Sequence, residues 1–174
     1  TNDIDDINEY MFFNDFLCWM RFLASVSLET NYEWYVKPHR DYSEKELEVL
    51  KSFISENDKF QMIDPETSFH QLRSEGIDFA LTCYGTVGHE LPLLGFTVIN
   101  ASYNPHIAFD FNVSARSKAE YEHILRHLDD FRISEINSEE IYMFYYIHHK
   151  VVQDNEFLGI SIEVLDEKIG RAHV

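Results

Sequence analysis

Residues 81–100 read LTCYGTVGHELPLLGFTVIN, and we expect the rest of the chain to be organised around this stretch. The apolar run 79–84 has the length and composition of a buried strand, and Gly85 interrupts it. A short helix follows and stops at Gly95, and residues 96–101 form the next apolar run. The pattern therefore predicts a strand, a glycine turn, a short helix and a second strand.

The start of this short helix is the first candidate binding site. Thr86 is a residue type that caps helices, here one beginning at Val87. Gly88 has no side chain, so another group can approach the backbone of the first helical turn closely. Free N–H groups at a helix start attract phosphate, and Glu90 lies where it can reach a neighbouring sugar hydroxyl. The pattern leaves a second interpretation equally open, an ordinary crossover with a tight turn.

Strand and helix patterns alternate on both sides of this element. Ser43 with Glu46, and Ser117 with Glu120, have the spacing of capping boxes. Short connections between alternating strands and helices predict an α/β fold, with a parallel sheet flanked by helices on both faces. The predicted strands are residues 32–38, 60–63, 79–84 and 96–101. The predicted helices are 9–28, 44–54, a third that Thr67 or Ser68 opens and that runs to 75, 87–95, 118–130 and 138–153.

The composition limits the class of protein. The 174 residues are 45% hydrophobic and 15% aromatic, which is enough for the packed core of one domain or lobe. The formal net charge of -17 argues against nucleic acid or an anionic membrane as the main partner. Cys18 and Cys83 lie in apolar surroundings, which suits a reducing cytoplasm and gives no disulfide framework. The longest apolar stretch, 16–26, is short and contains Arg21, so no transmembrane helix is predicted.

Ligands of open α/β sheets bind at the carboxyl ends of the strands. The predicted strands end at 37–39, at Asp64, at 85–86 and at 100–102, and we expect these ends to share one edge. Lys37 and His39 would bring positive or donor groups there, unless they form a solvated strand end. His70 follows the start of its helix and could point to the same edge, although a packed or surface histidine is the commoner case.

The other titratable residues give weaker signals. His123 and His127 have the spacing of a zinc-binding pair on a helix, but no third ligand is evident, and a solvated helix face is the favoured interpretation. His148 and its neighbour at 149 point to different sides of a helix. Asp110 lies in a loop and could act as a general base, but nothing nearby singles it out.

Three segments together resemble a known family. They are 12–19 (FFNDFLCW), 34–39 (WYVKPH) and 85–90 (GTVGHE), the last followed by Gly95 and the pair 98–99. Their order and spacing are similar to those of bacterial capsule and surface-polysaccharide glycosyltransferases with a GT-B fold. One position differs, because Arg40 follows the histidine where that family usually has proline, so that the loop turns differently or gains a phosphate contact.

The resemblance spans about residues 10–130 and implies the C-terminal, Rossmann-like lobe, which binds a nucleotide-sugar donor without a cofactor or metal. It implies that the glycines and Thr86 face phosphate, Glu90 holds the ribose, and Lys37 and His39 contact phosphate or nucleotide. A helix start suits this chemistry because negative charge grows on the departing nucleotide. The implied binding residues are Lys37, His39, Gly85, Thr86, Gly88 and Glu90, with Arg40, His70 and Ser102 as further candidates.

On this interpretation residues 1–174 are a single lobe, with 1–8 frayed and 131–174 forming a C-terminal helical extension. The glycan acceptor would bind a missing N-terminal lobe, so the chain would be inactive alone. The full-length enzyme would be cytoplasmic or peripheral to the inner membrane. The helix predicted at 9–28 is apolar on two sides, which predicts self-association.

Three alternatives remain open at this point. Two are enzymes of similar fold, a sugar-nucleotide epimerase and a polyol-phosphate transferase of the teichoic-acid type. The third is a non-catalytic Rossmann-like interaction module whose apolar helix face binds a partner. Nucleotide binding separates the module from the enzymes.

Overall fold

The computed structural model describes residues 12–39 and 41–148, and the fold is mixed α/β. Predictions that concern residues 1–11, Arg40 and 149–174 lie outside the described residues, including the frayed start and the end of the helical extension. The helices are α1 Phe16–Ser27, α2 Glu44–Glu56, α3 Phe69–Ser74, α4 Val87–Glu90, α5 Lys118–Arg126 and α6 Ser138–Tyr146. The strands are β1 Trp34–Val36, β2 Phe60–Met62, β3 Phe79–Thr82, β4 Thr97–Asn100 and β5 Val113–Ser114. Short 3-10 helices lie at Pro92–Leu94, Pro105–Ala108 and Leu128–Phe131.

The strands form short parallel sheets, as the alternating pattern predicts. β1 pairs with β2, and β4 lies between β3 and β5 in a second sheet. Within the described residues the two sheets are joined by side-chain packing and not by strand pairing. Trp34 and Phe60 of the first sheet belong to the same core as Ile99 of the second. The single continuous sheet expected from the sequence is therefore divided in two.

Strand β4 is the centre of the second sheet and is buried on both faces. Ile99 faces the main core, which includes residues of α1, α2 and α5, whereas Val98 packs with Leu72, Leu91 and Phe96 in a second cluster. Alternate residues of a strand point to opposite sides, so an uninterrupted apolar run fits a strand covered on both faces.

Most of the predicted strand and helix positions agree with the structure, but their ends differ. Helix α1 begins at Phe16 because the Asp15 carboxylate caps it, accepting a hydrogen bond from the Cys18 N–H at 2.6 Å. Helix α5 ends at Arg126, and a 3-10 turn follows it. The 3-10 turn at Pro105–Ala108 lies in the segment 102–112, whose composition is loop-like, and strand β5 follows it where the sequence predicts no strand.

Two of the predicted caps differ from the sequence interpretation. Ser117 caps α5 as expected, but the Glu120 carboxylate accepts from the Arg116 N–H and not from the cap residue. Thr86 adopts a helical backbone conformation, and its side chain makes no capping hydrogen bond to α4. Thr86 was therefore wrongly predicted as a side-chain cap, because its own backbone is already helical.

The capping box of α2 is confirmed and gives a first testable prediction. The Ser43 hydroxyl accepts from the Glu46 N–H at 3.3 Å, and the Glu46 carboxylate accepts from the Ser43 N–H at 2.8 Å. Ser43→Ala removes one of these bonds, so we expect it to lower the free energy of unfolding by about 1 kcal/mol in urea titrations. The control is Ser55→Ala on the exposed side of the same helix, which should be neutral or slightly stabilising. Equal stability of the two variants would contradict the prediction.

Within residues 12–39 and 41–148, none of the helices has the length and apolar character needed to cross a membrane. Helix α1 buries Trp19, Met20, Leu23 and Val26 in the main core and leaves Phe16 exposed at its start. Whether this exposed end supports self-association stays a prediction.

Candidate functional site

The glycine turn after β3 forms as expected and is held by its own backbone. Gly85 has a φ of 150°, a conformation that favours glycine. The Gly88 N–H donates to the Gly85 carbonyl at 3.1 Å, and the N–H groups of His89 and Glu90 both donate to the Thr86 carbonyl at 3.0 Å. A phosphate at this turn would therefore have to use the amides that precede Gly88.

Gly88 is in close contact with a side chain of the same chain. A Cβ atom added at Gly88 would lie 2.5 Å from Cε1 and 2.6 Å from Nδ1 of His106. The Gly88 carbonyl accepts a hydrogen bond from the Asn112 side-chain amide at 2.7 Å. The structure thus gives a reason for glycine here that involves no ligand, and the predicted phosphate contact at Gly88 stays a prediction.

The contact between Gly88 and His106 lies among buried polar side chains. We call four of these residues the histidine cluster: His89, His106, Asn104 and Asn112. Nδ1 of His89 and Nε2 of His106 are hydrogen-bonded at 2.9 Å, and the two residues are only 6% and 3% exposed. The Asn104 side-chain oxygen accepts from the His106 N–H at 3.0 Å. In the described part of the chain, Nδ1 of His106, Nδ2 of Asn104 and Oδ1 of Asn112 have no hydrogen-bond partner.

The environment of His106 favours its neutral form. Burial, with smaller contributions from His89 and His148, lowers the pKa of His106 from 6.5 to about 4. At neutral pH His106 is therefore uncharged. The sequence analysis missed His106, because its partner His89 lies 17 residues away and no local spacing links them. The only local signal was the Asn104–Pro105 pair, which is typical of a turn.

Helix α6 covers the histidine cluster with aromatic side chains. The ring of Phe144 lies 4.9 Å from that of His89, 4.7 Å from that of His106 and 4.7 Å from that of His148. Tyr145 makes an edge contact with His89 at 4.7 Å. The cluster is thus enclosed between α4, the loop after β4 and α6.

Glu90 and Thr86 lie on the exposed side of the same turn. Tyr145 has a raised pKa because of its burial and, to a smaller extent, the nearby negative charge of Glu90. The carboxylate of Glu90 is thus near the edge of α6 and open to solvent. Its predicted contact with a ribose hydroxyl stays a prediction.

The basic residues predicted for the same site lie at the end of the other sheet. Nζ of Lys37 donates to the Pro65 carbonyl at 2.5 Å and lies 5.4 Å from the centre of the Phe69 ring. His39 is exposed, and its Nδ1 accepts from the Asp41 N–H at 3.2 Å. His70 is exposed on α3. Lys37 and His39 therefore follow β1 and His70 lies in α3, whereas the glycine turn belongs to the β3–β4–β5 sheet.

Ser102 lies at the carboxyl edge of the second sheet beside an apolar cleft. Its hydroxyl donates to the Cys83 carbonyl at 2.5 Å and thereby links the ends of β3 and β4. The cleft has a volume of about 190 Å³. Burial raises the pKa of Cys83 to about 12, so this thiol is a poor nucleophile. The residues that line the cleft are Phe12, Phe13, Asp15, Phe16, Cys83, Ala101 and Ser102.

The imidazole rings of His123 in α5 and of His127, the residue that follows this helix, lie 4.6 Å apart, and both residues are exposed. In the described ranges, no set of three or more His, Cys, Asp or Glu side chains is arranged to hold a metal ion. The loop residue Asp110 is exposed, and its N–H donates to the Glu140 carboxylate at 3.0 Å.

The fold and the site together define an α/β protein with short parallel sheets, a glycine turn and an apolar cleft at the carboxyl edge of one sheet. Comparisons with protein-family models, with curated proteins and with solved structures find no match for this chain.

Proposed function

We propose that this chain is the nucleotide-sugar-binding lobe of a glycosyltransferase of bacterial capsule or surface-polysaccharide synthesis, with a Rossmann-like fold of the GT-B type. The observation that carries the proposal is the parallel β3–β4 pair, whose connection contains Gly85 in a left-handed conformation and the exposed residues Thr86 and Glu90. Carboxyl ends of parallel strands are where nucleotides bind in open α/β folds.

The chemistry at this edge is suited to a ligand with polar and apolar parts. The Thr86 hydroxyl and the amides that precede Gly88 are donors for phosphate, and Glu90 is an acceptor for ribose hydroxyls. The apolar cleft beside Cys83 and Ser102 offers a surface for a ring. Lys37 and His39 would contribute from the other sheet. The proposal requires no metal ion or cofactor.

The reaction itself needs a second lobe that binds the glycan acceptor, so this chain alone should bind the donor without turning it over. A cytoplasmic location, with peripheral attachment to the inner membrane in the full-length protein, belongs to the same proposal. The net charge of -17 means that a phosphate must be held by local donors against an unfavourable overall field.

Calorimetric titration with UDP, CMP, GDP and CDP tests this function. We expect one nucleotide to bind, and Glu90→Ala to weaken its binding by about 1–3 kcal/mol, which is the scale of a lost hydrogen bond to a charged group. Glu48→Ala, which removes an exposed carboxylate of α2, is the matched control and should bind normally. Failure of all four nucleotides to bind, or unchanged binding by a folded Glu90→Ala variant, would refute the proposal.

A second candidate function, a protein-interaction module, is favoured by the outer face of α6. This face exposes Tyr142, Met143, Tyr146 and Ile147, and the two tyrosines are 61% and 63% exposed. Clustered exposed aromatic and apolar side chains are typical of protein-interaction surfaces. The same titration separates the two functions, because a pure interaction module should bind none of the nucleotides.

A further inference from the structure

Helix α6 is attached to the protein mainly through a small core of its own. Ile141 and Phe144 are buried with Phe111, and Phe109, Ile136 and Tyr145 pack against them. This cluster is separate from the main core, which contains Trp19 and Trp34. The attachment of α6 therefore depends on a few aromatic contacts, several of which are made to imidazole rings.

The hydrogen bond between His89 and His106 requires a particular protonation state. One of the two facing nitrogens must carry a proton and the other must accept it, so the bond cannot form when both are protonated. If Nε2 of His106 is the donor, a further proton must enter at Nδ1, which lies against Gly88 without an acceptor in the described residues. If Nε2 is the acceptor, a further proton on it sets two N–H groups face to face, and the bond is kept only if His89 shifts its proton from Nδ1 to Nε2.

The groups around His106 do not stabilise a positive charge on it. The contacts of its ring are with Gly88 and His89 of α4, with Phe111 of the following loop and with Phe144 of α6. The other titratable groups on these elements are Glu90 of α4, Asp110 of the loop, and five residues of α6, with His148 just after that helix; the five are Glu139, Glu140, Tyr142, Tyr145 and Tyr146. Glu90 and Asp110 are exposed to solvent, Glu140 is engaged with the Asp110 N–H, and His148 would add repulsion.

We propose that the His89–His106 pair is a pH-sensitive attachment of α6, and that protonation of His106 detaches this helix from α4 while the main core stays folded. The proton comes from solvent and is retained by the imidazole once α6 has moved away. Detachment would expose the α4 turn and the inner aromatic face of α6 together. The inference does not depend on which ligand the turn binds.

The direction of the pH effect and the pH range in which it occurs follow from the linkage between proton binding and the attachment of α6. The pKa of His106 is lowered in the closed structure, so the closed state binds fewer protons than a state in which the ring meets water. Neutral His106 stabilises the closed state, in which α6 is attached. This stabilisation is fully present above pH 6.5 and is lost progressively as the pH falls from 6.5 towards about 4.

Hydrogen exchange measured by mass spectrometry tests the proposal on the intact chain. After correction for intrinsic exchange rates, we expect the amides of α6 to exchange at least about tenfold faster at about pH 4.5 than at about pH 7. Over the same pH range, the exchange rates of the α5 amides and the fluorescence emission of Trp19 and Trp34 should stay unchanged, because both report the main core. Simultaneous loss of protection in α5 and α6 would overturn the proposal, as would α6 protection that persists to about pH 4.

Two further measurements assign the effect to His106. His106→Gln keeps a hydrogen-bonding side chain without an ionisable ring, so α6 exchange should lose its pH dependence. The control His123→Gln, at an exposed position of α5, should behave like the unmodified chain. Proton NMR titration of the unmodified chain covers the case in which His106→Gln does not fold. The ring signal of His106 should then change at the same pH as α6 exchange, and titration near the ordinary value of 6.5 with α6 still protected would refute the assignment.

Discussion

Gly88→Ala is expected to destabilise this protein by about 2–3 kcal/mol and to lower its melting temperature by about 5–10 °C. The added methyl group would lie 2.5–2.6 Å from two atoms of the His106 ring. This ring has little room to move, because Phe144 and His89 contact it and it is only 3% exposed. Overpacking of a filled interior forces either the ring or the backbone of α4 to shift.

The sign of this effect is informative because the position is helical. At an unhindered helix position, replacing glycine by alanine stabilises a protein by up to about 1 kcal/mol. Removal of the ring should therefore relieve the penalty, and the double variant Gly88→Ala/His106→Ser should be more stable than the sum of the two single effects predicts. Thermal and urea unfolding of the four proteins measures this coupling. Additive effects, or a stabilised Gly88→Ala variant, would show that His106 does not restrict the position.

Tyr121 gives the second large effect, and its size depends on the substitution. Tyr121 is completely buried in the main core, where its hydroxyl accepts a hydrogen bond from Nε1 of Trp19 at 3.1 Å. The ring stacks on Phe22 at 6.0 Å and contacts the edge of Phe13 at 6.1 Å. Burial raises the pKa of Tyr121, so the phenol stays neutral in the ordinary pH range.

Tyr121→Ala should lower the free energy of unfolding by about 3–5 kcal/mol, because it removes the ring contacts and leaves a cavity. Tyr121→Phe keeps the ring but leaves the buried indole N–H of Trp19 without its acceptor, which should cost about 1–3 kcal/mol. Urea unfolding followed by far-ultraviolet circular dichroism measures both changes.

The control for Tyr121→Phe is the same substitution combined with Trp19→Phe, which removes the donor as well. If the hydrogen bond carries the effect, Tyr121→Phe should cost less in the Trp19→Phe background than in the original chain. A cost of zero for Tyr121→Phe alone would mean that this bond contributes nothing to stability.

The short-range features of this fold could be read from the sequence. Ser43 caps its helix as predicted, Ser68 and not Thr67 caps α3, and the runs 79–84 and 96–101 contain β3 and β4. These features are determined by residues within about one helical turn of each other, so their pattern is visible along the chain. The parallel pairing of β3 and β4 also follows, because the short helical connection returns the chain in the same direction.

The features of the candidate site that involve distant residues could not be read in this way. The strand β5 has only two residues, which is too short for a periodic pattern, and it is a strand because it pairs with the edge of β4. Lys37 and the glycine turn were predicted to share one edge, but the strands divide into two sheets. The path of the backbone between elements decides such arrangements, and local propensity does not report it.

The sequence by itself determined the α/β class, the starts of α2 to α6 and the glycine turn, since each depends on neighbouring residues. Only the tertiary structure decided why residue 88 is glycine and which histidines meet. His89 and His106 are 17 residues apart, and Trp19 and Tyr121 are 102 residues apart. Such pairs form when packing brings separate elements together, and burial then changes their chemistry, as the lowered pKa of His106 illustrates.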